Sequence, residues 1–306
     1  MHWDLAQLEA LSAAVTEGTF EAAARALNVT PSAVSQRIKA LESAVGRVLV
    51  QRSKPVVATE SGQAILLLAR QIEMLADDAL RGLDGERLPF DSADQVTPAA
   101  PPPVRMPIAV NADSLATWIL PALADLSGTM VFDLYREDQA HTTTLLRQGT
   151  VMAAITGVAE PVQGCSSTRL GAMRYRPMAN PSFASTWFPG GVTPEALARA
   201  PVVVFDRRDE LQDDYLRSRT TGPVDPPRHF VPASCDFVEA VRLGFGWGMV
   251  PDLQSAAHPL DATSLVDLDP EGAIDVPLYW QQWQLHTPSL ERLAQVVAGA
   301  AARTLR

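Results

Sequence analysis

Ser32, Ser35, Gln36 and Lys39 recur along residues 31–41 at spacings that gather them on one side of a helix, with Val34, Ile38 and Leu41 on the other. Hydroxyl, amide and ammonium groups disposed in this way can bond to base edges and phosphates in a DNA groove while the apolar side packs. Thr30 is suited to cap that helix, and Pro31 fits its first turn, where a missing N–H costs nothing. Ahead of it, Phe20, Ala23, Ala24 and Leu27 fit a short helix that ends at an Asn28-Val29 turn, so the pair reads as a helix-turn-helix. On spacing alone an ordinary helical hairpin with a solvated polar face fits equally well. Arg52 and Lys54 flank a turn at 53–55 between strands expected at 47–52 and 56–58, a small wing that can set both charges against phosphates or simply against solvent.

A second group suits small-molecule binding. Asn111, Ala112, Asp113 and Ser114 lie where a strand turns into a helix, so backbone N–H groups and the Ser114 hydroxyl converge where an anion such as an α-carboxylate is favoured. A plain helix cap would use the same residues. Glu137, Asp138 and Asp206 fall just beyond strand ends, and carboxylates there suit a cation that would be costly to bury unpaired. Trp118 and His141 can line such a pocket, although Trp118 suits a core equally well. The ligand these groups describe is a zwitterion with an extra positive charge: arginine or lysine, with histidine as a further candidate.

The elements that must hold these groups are legible along the chain. Leu5, Leu8, Leu11 and Val15 form the stripe of a first helix, ended by Gly18 before Thr19 caps the next. Thr59 caps a long helix to about residue 83, whose Ile65, Leu68, Ile72, Leu75 and Ala79 make a seam for a second copy of the chain, or else for the chain's own head. Residues 85–103 shift to Pro, Ala, Asp and Ser and read as an extended linker. Strands at 106–110, 130–135 and 151–155 then alternate with helices at 115–126 and 142–147. Strands at 202–205, 229–231 and 247–250 repeat the pattern with helices at 210–217 and 237–243. LLRQGTVMAAI (145–155) and AVRLGFGWGMV (240–250) share a helix, an Arg-x-Gly and a small apolar strand. Two such lobes imply a cleft between them and a double-strand hinge, closed by a last strand at 278–283 and a helix at 289–305. The expected division is a winged helix-turn-helix head at 1–60, a dimerisation helix at 61–84, the linker, and an effector-binding unit at 104–306, with lobe I at 104–172 and 272–306 and lobe II at 173–271.

A chain of 306 residues that is 47% hydrophobic can bury several cores. It has no apolar run long enough to span a membrane and no basic segment before an apolar one at its start, so a cytoplasmic protein is expected. The net charge of −10 suits a DNA binder poorly until it is mapped: residues 1–62 hold six basic and six acidic groups, and five of the six basic ones fall between Arg37 and Lys54. The acidic remainder should repel nonspecific DNA. Cys165 and Cys235 stand far apart with no basic neighbour to activate them, which favours reduced thiols over a redox sensor. No Gly-rich phosphate loop, metal-ligand spacing or Gly-x-Ser-x-Gly elbow is present, so neither an enzyme nor a resident cofactor is expected. A two-lobed binding protein or enzyme is the alternative class, and the head argues against it.

The head resembles the N-terminal domain of LysR-type transcriptional regulators, in its Ala-rich helix, its Ser-containing second helix ending in Leu41-Glu42, its wing and its long helix. NADSLATW (111–118), RED (136–138), APVVVFD (200–206) and LYWQQW (278–283) are similar to the branch responsive to basic amino acids, the ArgP/LysG (IciA) regulators. The resemblance implies a periplasmic-binding-protein-like effector unit, a dimer paired into a tetramer, operator DNA and RNA polymerase as partners, and activation of a basic-amino-acid exporter gene. Where many recognition helices of the wider family carry Gln and Arg, this chain has Pro31 and Gln36, so the operator code does not transfer. Relatives in the branch can carry an acid at the position of Cys235, where Asp236 stands next in line here.

Overall fold

The computed structural model describes residues 3–85, 103–136, 139–256 and 265–306. Helix α1 (Leu5–Thr16) starts at a reciprocal cap between Asp4 and Gln7. Helix α2 (Phe20–Ala26) is capped by Thr19, whose hydroxyl oxygen accepts from Ala22 N at 3.1 Å. Asn28, at φ 52°, makes the left-handed turn into α3 (Pro31–Val45), which Gly46 ends at φ 75°. Leu8, Leu11, Ala23, Ala24, Val34, Ile38 and Leu41 close the core of the head. Leu5 does not join the expected stripe and is exposed; Ala10 and Ala14 are buried instead, because close helix axes favour small side chains.

The wing is shorter than expected. Strands β1 (Val50–Gln51) and β2 (Val57–Ala58) pair antiparallel over two residues only. Leu49 N donates to the Glu42 carboxylate of α3 at 2.9 Å, and the carbonyls of Val48 and Leu49 accept from Thr59, so residues 47–49 stay outside the paired strands. Thr59 then caps α4 (Glu60–Gly85), accepting from Gly62 N at 3.0 Å.

Helix α4 presents three faces. Leu66 and Ala69, with Ile65 and Ile72 beside them, pack into the head. Leu67, Arg70, Met74 and Asp78 meet the effector unit. A Cβ at Gly149 would come within 3.0 Å of Leu67, the Arg70 guanidinium donates to the Gly149 carbonyl, Met74 enters the main core, and Asp78 accepts from Ser289. Leu75, Ala79 and Leu80 stay exposed, with Leu68 partly so, and these carry most of the seam that the sequence reserves for a second copy. The expected linker at 85–103 lies almost wholly outside the described residues.

In the effector unit, β3 (Val104–Val110) leads to α5 (Ala112–Thr117) and α6 (Ile119–Ala124). The single helix expected at 115–126 is thus two, broken at Trp118. Pro121 accounts for the break, since in a continuous helix its ring would strike the carbonyl four residues back, at Thr117. Strand β4 (Met130–Arg136), α7 (Gln139–Arg147) and β5 (Ala153–Thr156) complete the first lobe, and β3 pairs parallel with both β4 and β5 as expected.

Strand β6 (Cys165–Ala179), which sequence reasoning left out, is the longest strand. Beyond it come α8 (Pro181–Trp187), α9 (Pro194–Leu197), β7 (Val202–Val204), α10 (Leu211–Arg219), β8 (Arg228–Phe230) and α11 (Ser234–Arg242). Strand β9 (Gly248–Pro251), α12 (Asp252–Ala256) and β10 (Val266–Asp267) finish the second lobe. The parallel run expected there holds for β7 and β8, but β9 pairs antiparallel with β6, and Trp247 just before it forms a parallel bridge with Val202 of β7. Helix α11 begins three residues earlier than expected, which puts Ser234 in its first turn. Strand β11 (Ile274–Trp283) pairs antiparallel with β5 and β6, and α13 (Pro288–Thr304) returns to pack on the first lobe. The repeated Arg-x-Gly phrase has a structural meaning: α7 ends at Arg147 and α11 at Arg242, and Gly149 and Gly244 each take the left-handed turn that follows.

Candidate DNA-binding face and effector cleft

On α3, Ser32, Gln36 and Lys39 are exposed and Ser35 is half-buried, while Val34, Ile38 and Leu41 on the other side are fully buried. Thr30 is exposed, with its oxygen engaged by Ala33 N at 3.2 Å, so its part is to begin the helix that presents the others. In the wing, Arg52 and Lys54 are both exposed, and the Arg52 guanidinium lies 5.5 Å from the centre of the Phe20 ring. That contact holds the charge against α2 and leaves its outer N–H groups to solvent.

Where the lobes meet, three elements converge on Asp113. One of its oxygens accepts from the Tyr175 hydroxyl of β6 at 2.6 Å and the other from the Ser234 hydroxyl of α11 at 2.5 Å. Gln254 of α12 donates in turn to the Ser234 oxygen at 2.8 Å. Asp113 therefore ties the first lobe to the second and to the strand that passes between them. Next to it, Asn111 caps α5 by accepting from Ser114 N at 2.8 Å, and Ser114 is fully buried with no hydrogen-bond partner for its hydroxyl. The Gln254 carbonyl oxygen is likewise buried and unpartnered. Burial and the neighbouring Asp113 push the Tyr175 phenol well up, so it stays a donor across the neutral range.

Asp206 turns its carboxylate onto its own loop, accepting from Arg208 N at 2.7 Å and Asp209 N at 3.1 Å. Asp209 accepts from Phe205 N and Leu211 N, and burial raises its pKa against the lowering effect of those two bonds; Asp113 and Asp206 raise it further. Most other acids of this unit lie beside arginines: Asp252 and Asp267 on Arg176, Asp269 on Arg219, Asp213 on Arg228 and Asp275 on Arg174. Among the described residues, no ion pair involves Asp113 or Asp209.

Trp118 is buried in the main core and borders a cavity of about 240 Å³ between α6 and α13. Glu137 and Asp138 lie outside the described residues, and His141 falls on α7. The structure therefore buries Ser114 beside Asp113, holds Asp206 next to Asp209, and sets Trp118 in the core. Sequence reasoning missed Tyr175, Asp209, Ser234 and Gln254. For Tyr175 the signal was present, as an apolar residue alternating with Arg174 and Arg176 along a strand; Gln254 carried none.

Cys165 is buried and its thiol is pushed up to about 11 by burial, while Cys235 is exposed; both are free. Among the described residues no cluster of His, Cys, Asp or Glu is disposed to hold a metal, and no helix is long and apolar enough to cross a membrane.

A winged helix-turn-helix head joined by a long helix to a two-lobed α/β unit defines a class of ligand-responsive DNA-binding regulators. Residues 5–63 match the bacterial regulatory helix-turn-helix proteins of the LysR family, and residues 106–302 match the LysR substrate binding domain. The chain belongs to the LysR family. It is 44% identical over 302 residues to the lysine export transcriptional regulatory protein LysG of Corynebacterium efficiens, covering 98% of each chain. The crystal structure of ArgP from Mycobacterium tuberculosis is similar over 100% of this chain and 99% of that one, at 42% identity and a TM-score of 0.86. Full-length LysG from Corynebacterium glutamicum with bound effector Arg is similar over 99% of both chains, at 38% identity and a TM-score of 0.75.

Proposed function

We propose that this protein is a transcriptional regulator that senses a basic amino acid, arginine or lysine with histidine as a further candidate, and activates a gene for its export. One observation carries the reading. The cleft pairs a fully buried, unpartnered Ser114 hydroxyl with an Asp113 carboxylate that no basic side chain of the described residues neutralises. A relative similar over its whole length holds the effector arginine. In this reading Ser114, Trp118, Glu137, Asp138, His141 and Asp206 contact the effector. Ser32, Ser35 and Gln36 read base edges from the helix that Thr30 begins at the DNA contact, and Lys39, with Arg52 and Lys54 of the wing, meets phosphates.

The boundaries proposed for these parts are 1–60, 61–84, 85–103 and 104–306, with a hinge between lobes where β6 and β11 run side by side. A second copy covers the open strip of α4, and pairs of dimers engage spaced half-sites. The effector shifts the population of two assemblies only by the difference in its affinity for them. Anisotropy and footprinting on the DNA between this gene and a divergent neighbour test the reading, with and without millimolar arginine, lysine or histidine. A footprint that changes length or bend with one of them is expected. Specific binding indifferent to all three would remove the effector assignment and leave the DNA-binding one standing.

A further inference from the structure

We propose, resting on the effector reading above, that Arg70 of α4 is the positioning residue that ties the head's response to the effector unit: one guanidinium holds the end of α1 and the turn after α7 together.

Three residues of α4, each three positions after the last, face the two bodies in order. Leu67 lies against Gly149 of the first lobe, where an added Cβ would come within 3.1 Å of the Leu67 Cα. Arg70 donates through one terminal nitrogen to the Gly149 carbonyl and through the other to the Thr16 hydroxyl, in the last turn of α1, at 3.3 Å. Glu73 accepts from Ser12, one turn earlier on α1, at 3.3 Å. Leu67 meets the lobe, Glu73 meets the head, and Arg70 between them meets both.

Gly149 stands where a change in the cleft can reach it. Strands β3 and β4 run parallel, so their carboxyl ends, where the candidate effector contacts begin, share one edge of the sheet. Helix α7 starts at that edge after β4 and crosses the lobe for nine residues, about 13 Å. Gly149 follows its end at the opposite edge, with its amide on the Leu146 carbonyl and its φ at 68°. A packed helix shifts as a rod, so displacement at its start moves the carbonyl that Arg70 holds.

The chemistry of the link suits switching better than bracing. Burial lowers the Arg70 pKa, and among the described residues no ion pair involves this guanidinium. Both of its hydrogen-bond partners are neutral. An apolar side chain would seal the same contact without the desolvation, as Leu67 and Met74 do on either side. What an apolar group cannot do is hold two acceptors on separate bodies, for which several N–H groups in one rigid plane are suited.

The test compares the full-length parent with Arg70→Met and Thr16→Val. Methionine keeps the apolar stem and drops every N–H. Valine keeps the branched shape and removes the acceptor at an exposed position, so the head stays folded. Anisotropy and footprinting on the operator region read the response to saturating arginine, and calorimetry reads arginine affinity without DNA. The arginine-dependent change in footprint and DNA affinity should be lost in Arg70→Met and weakened about threefold in Thr16→Val, the loss of one neutral hydrogen bond. DNA affinity without arginine and arginine affinity without DNA should stay within about twofold of the parent. A parent-like response in Thr16→Val overturns the assignment. So does an Arg70→Met that loses either basal affinity and keeps the response, for Arg70 then only braces the fold. Should Arg70→Met fail to fold, Thr16→Val decides alone. A parent that answers none of arginine, lysine and histidine overturns the effector reading itself, and the role of Arg70 with it.

Discussion

The Asp78 carboxylate of α4 receives two hydrogen bonds from Ser289, one from its backbone N–H at 3.1 Å and one from its hydroxyl. The two residues are 211 positions apart, and Ser289 sits in the first turn of α13, whose free N–H groups favour a carboxylate. The helix that carries the DNA-binding head thereby serves as a second cap for the helix that closes the first lobe. Asp78 itself is almost fully buried.

From this contact, Asp78→Ala should cost about 1–3 kcal/mol, since it strands two donors at a buried helix start. Thermal unfolding of the parent, Asp78→Ala, Ser289→Ala and the double variant would measure it. The double variant should lose clearly less than the sum of the singles, as expected for one shared interaction. The effector-dependent change in DNA affinity should also shrink, because the grip of the lobe on α4 would lose one of the contacts it makes beside Leu67, Arg70 and Met74. Full additivity together with unchanged coupling would mean that the contact transmits nothing.

On α3, the division between buried and exposed sides predicts two different losses. Gln36→Ala should abolish specific operator binding while salt-sensitive nonspecific binding survives, because an exposed amide can read bases but carries no charge. Lys39→Ala should weaken binding across sequences and lower the slope of log affinity against log salt by about one. Titrations at several salt concentrations distinguish these. A loss of nonspecific and specific binding in equal measure on Gln36→Ala would remove its role as a base reader.

How much of this was legible in sequence depends on where the deciding force acts. The head was nearly complete, because Thr19, Thr30 and Gly18 act on their own neighbours and the apolar spacing of α3 follows directly from helix geometry. Leu5 misled because periodicity does not tell a core face from its exposed end. The wing was overdrawn because Glu42, seven residues away, takes the Leu49 N–H. The strand-to-helix turn that carries Ser114 was legible, since it is local. Tyr175, Ser234 and Gln254 were not, because they meet Asp113 only after β6, α11 and α12 are brought together. Asp113 read only as part of a strand-to-helix turn, because nothing near it in sequence supplies its two hydroxyl donors.

The thiols should differ sharply. With Cys165 buried and pushed up to about 11, its thiolate fraction at neutral pH is negligible and rises only as the pH approaches that value. Iodoacetamide at pH 7.5 should therefore label one thiol per native chain, Cys235, and Cys235→Ser should abolish that labelling. Two labelled thiols in the folded protein would contradict the burial. Peroxide should leave the footprint unchanged, since a disulfide would have to join a buried residue on β6 to an exposed one on α11.

Glu73 on α4 offers a pH test. Burial raises its pKa, while the Ser12 hydroxyl at 3.3 Å and Arg70 lower it by less. A carboxyl whose folded pKa is raised contributes stability below the unfolded value of about 4.5, and that contribution is lost as the pH rises through the folded pKa. Glu73→Gln, which imitates the protonated form, should therefore be more stable than the parent at neutral pH, and the gap should close as the pH falls below about 4.5. Denaturant titrations at several pH values would show it. A variant less stable than the parent at pH 7 would mean that the charge on Glu73 serves Arg70 more than burial penalises it.

Ser114→Ala should move stability and function in opposite directions. Its hydroxyl is fully buried without a partner, and a buried unsatisfied group of this kind costs on the order of 1 kcal/mol or more. The Ser114 backbone N–H keeps its bond to Asn111 whatever the side chain, so the cap of α5 survives the change. Alanine should therefore leave the folded protein as stable as before or slightly more so in thermal unfolding, while arginine binding measured by calorimetry weakens about tenfold. Proteins keep such costly groups where a ligand satisfies them. If Ser114→Ala lowers the melting temperature and spares arginine binding, the hydroxyl belongs to the scaffold and not to the effector.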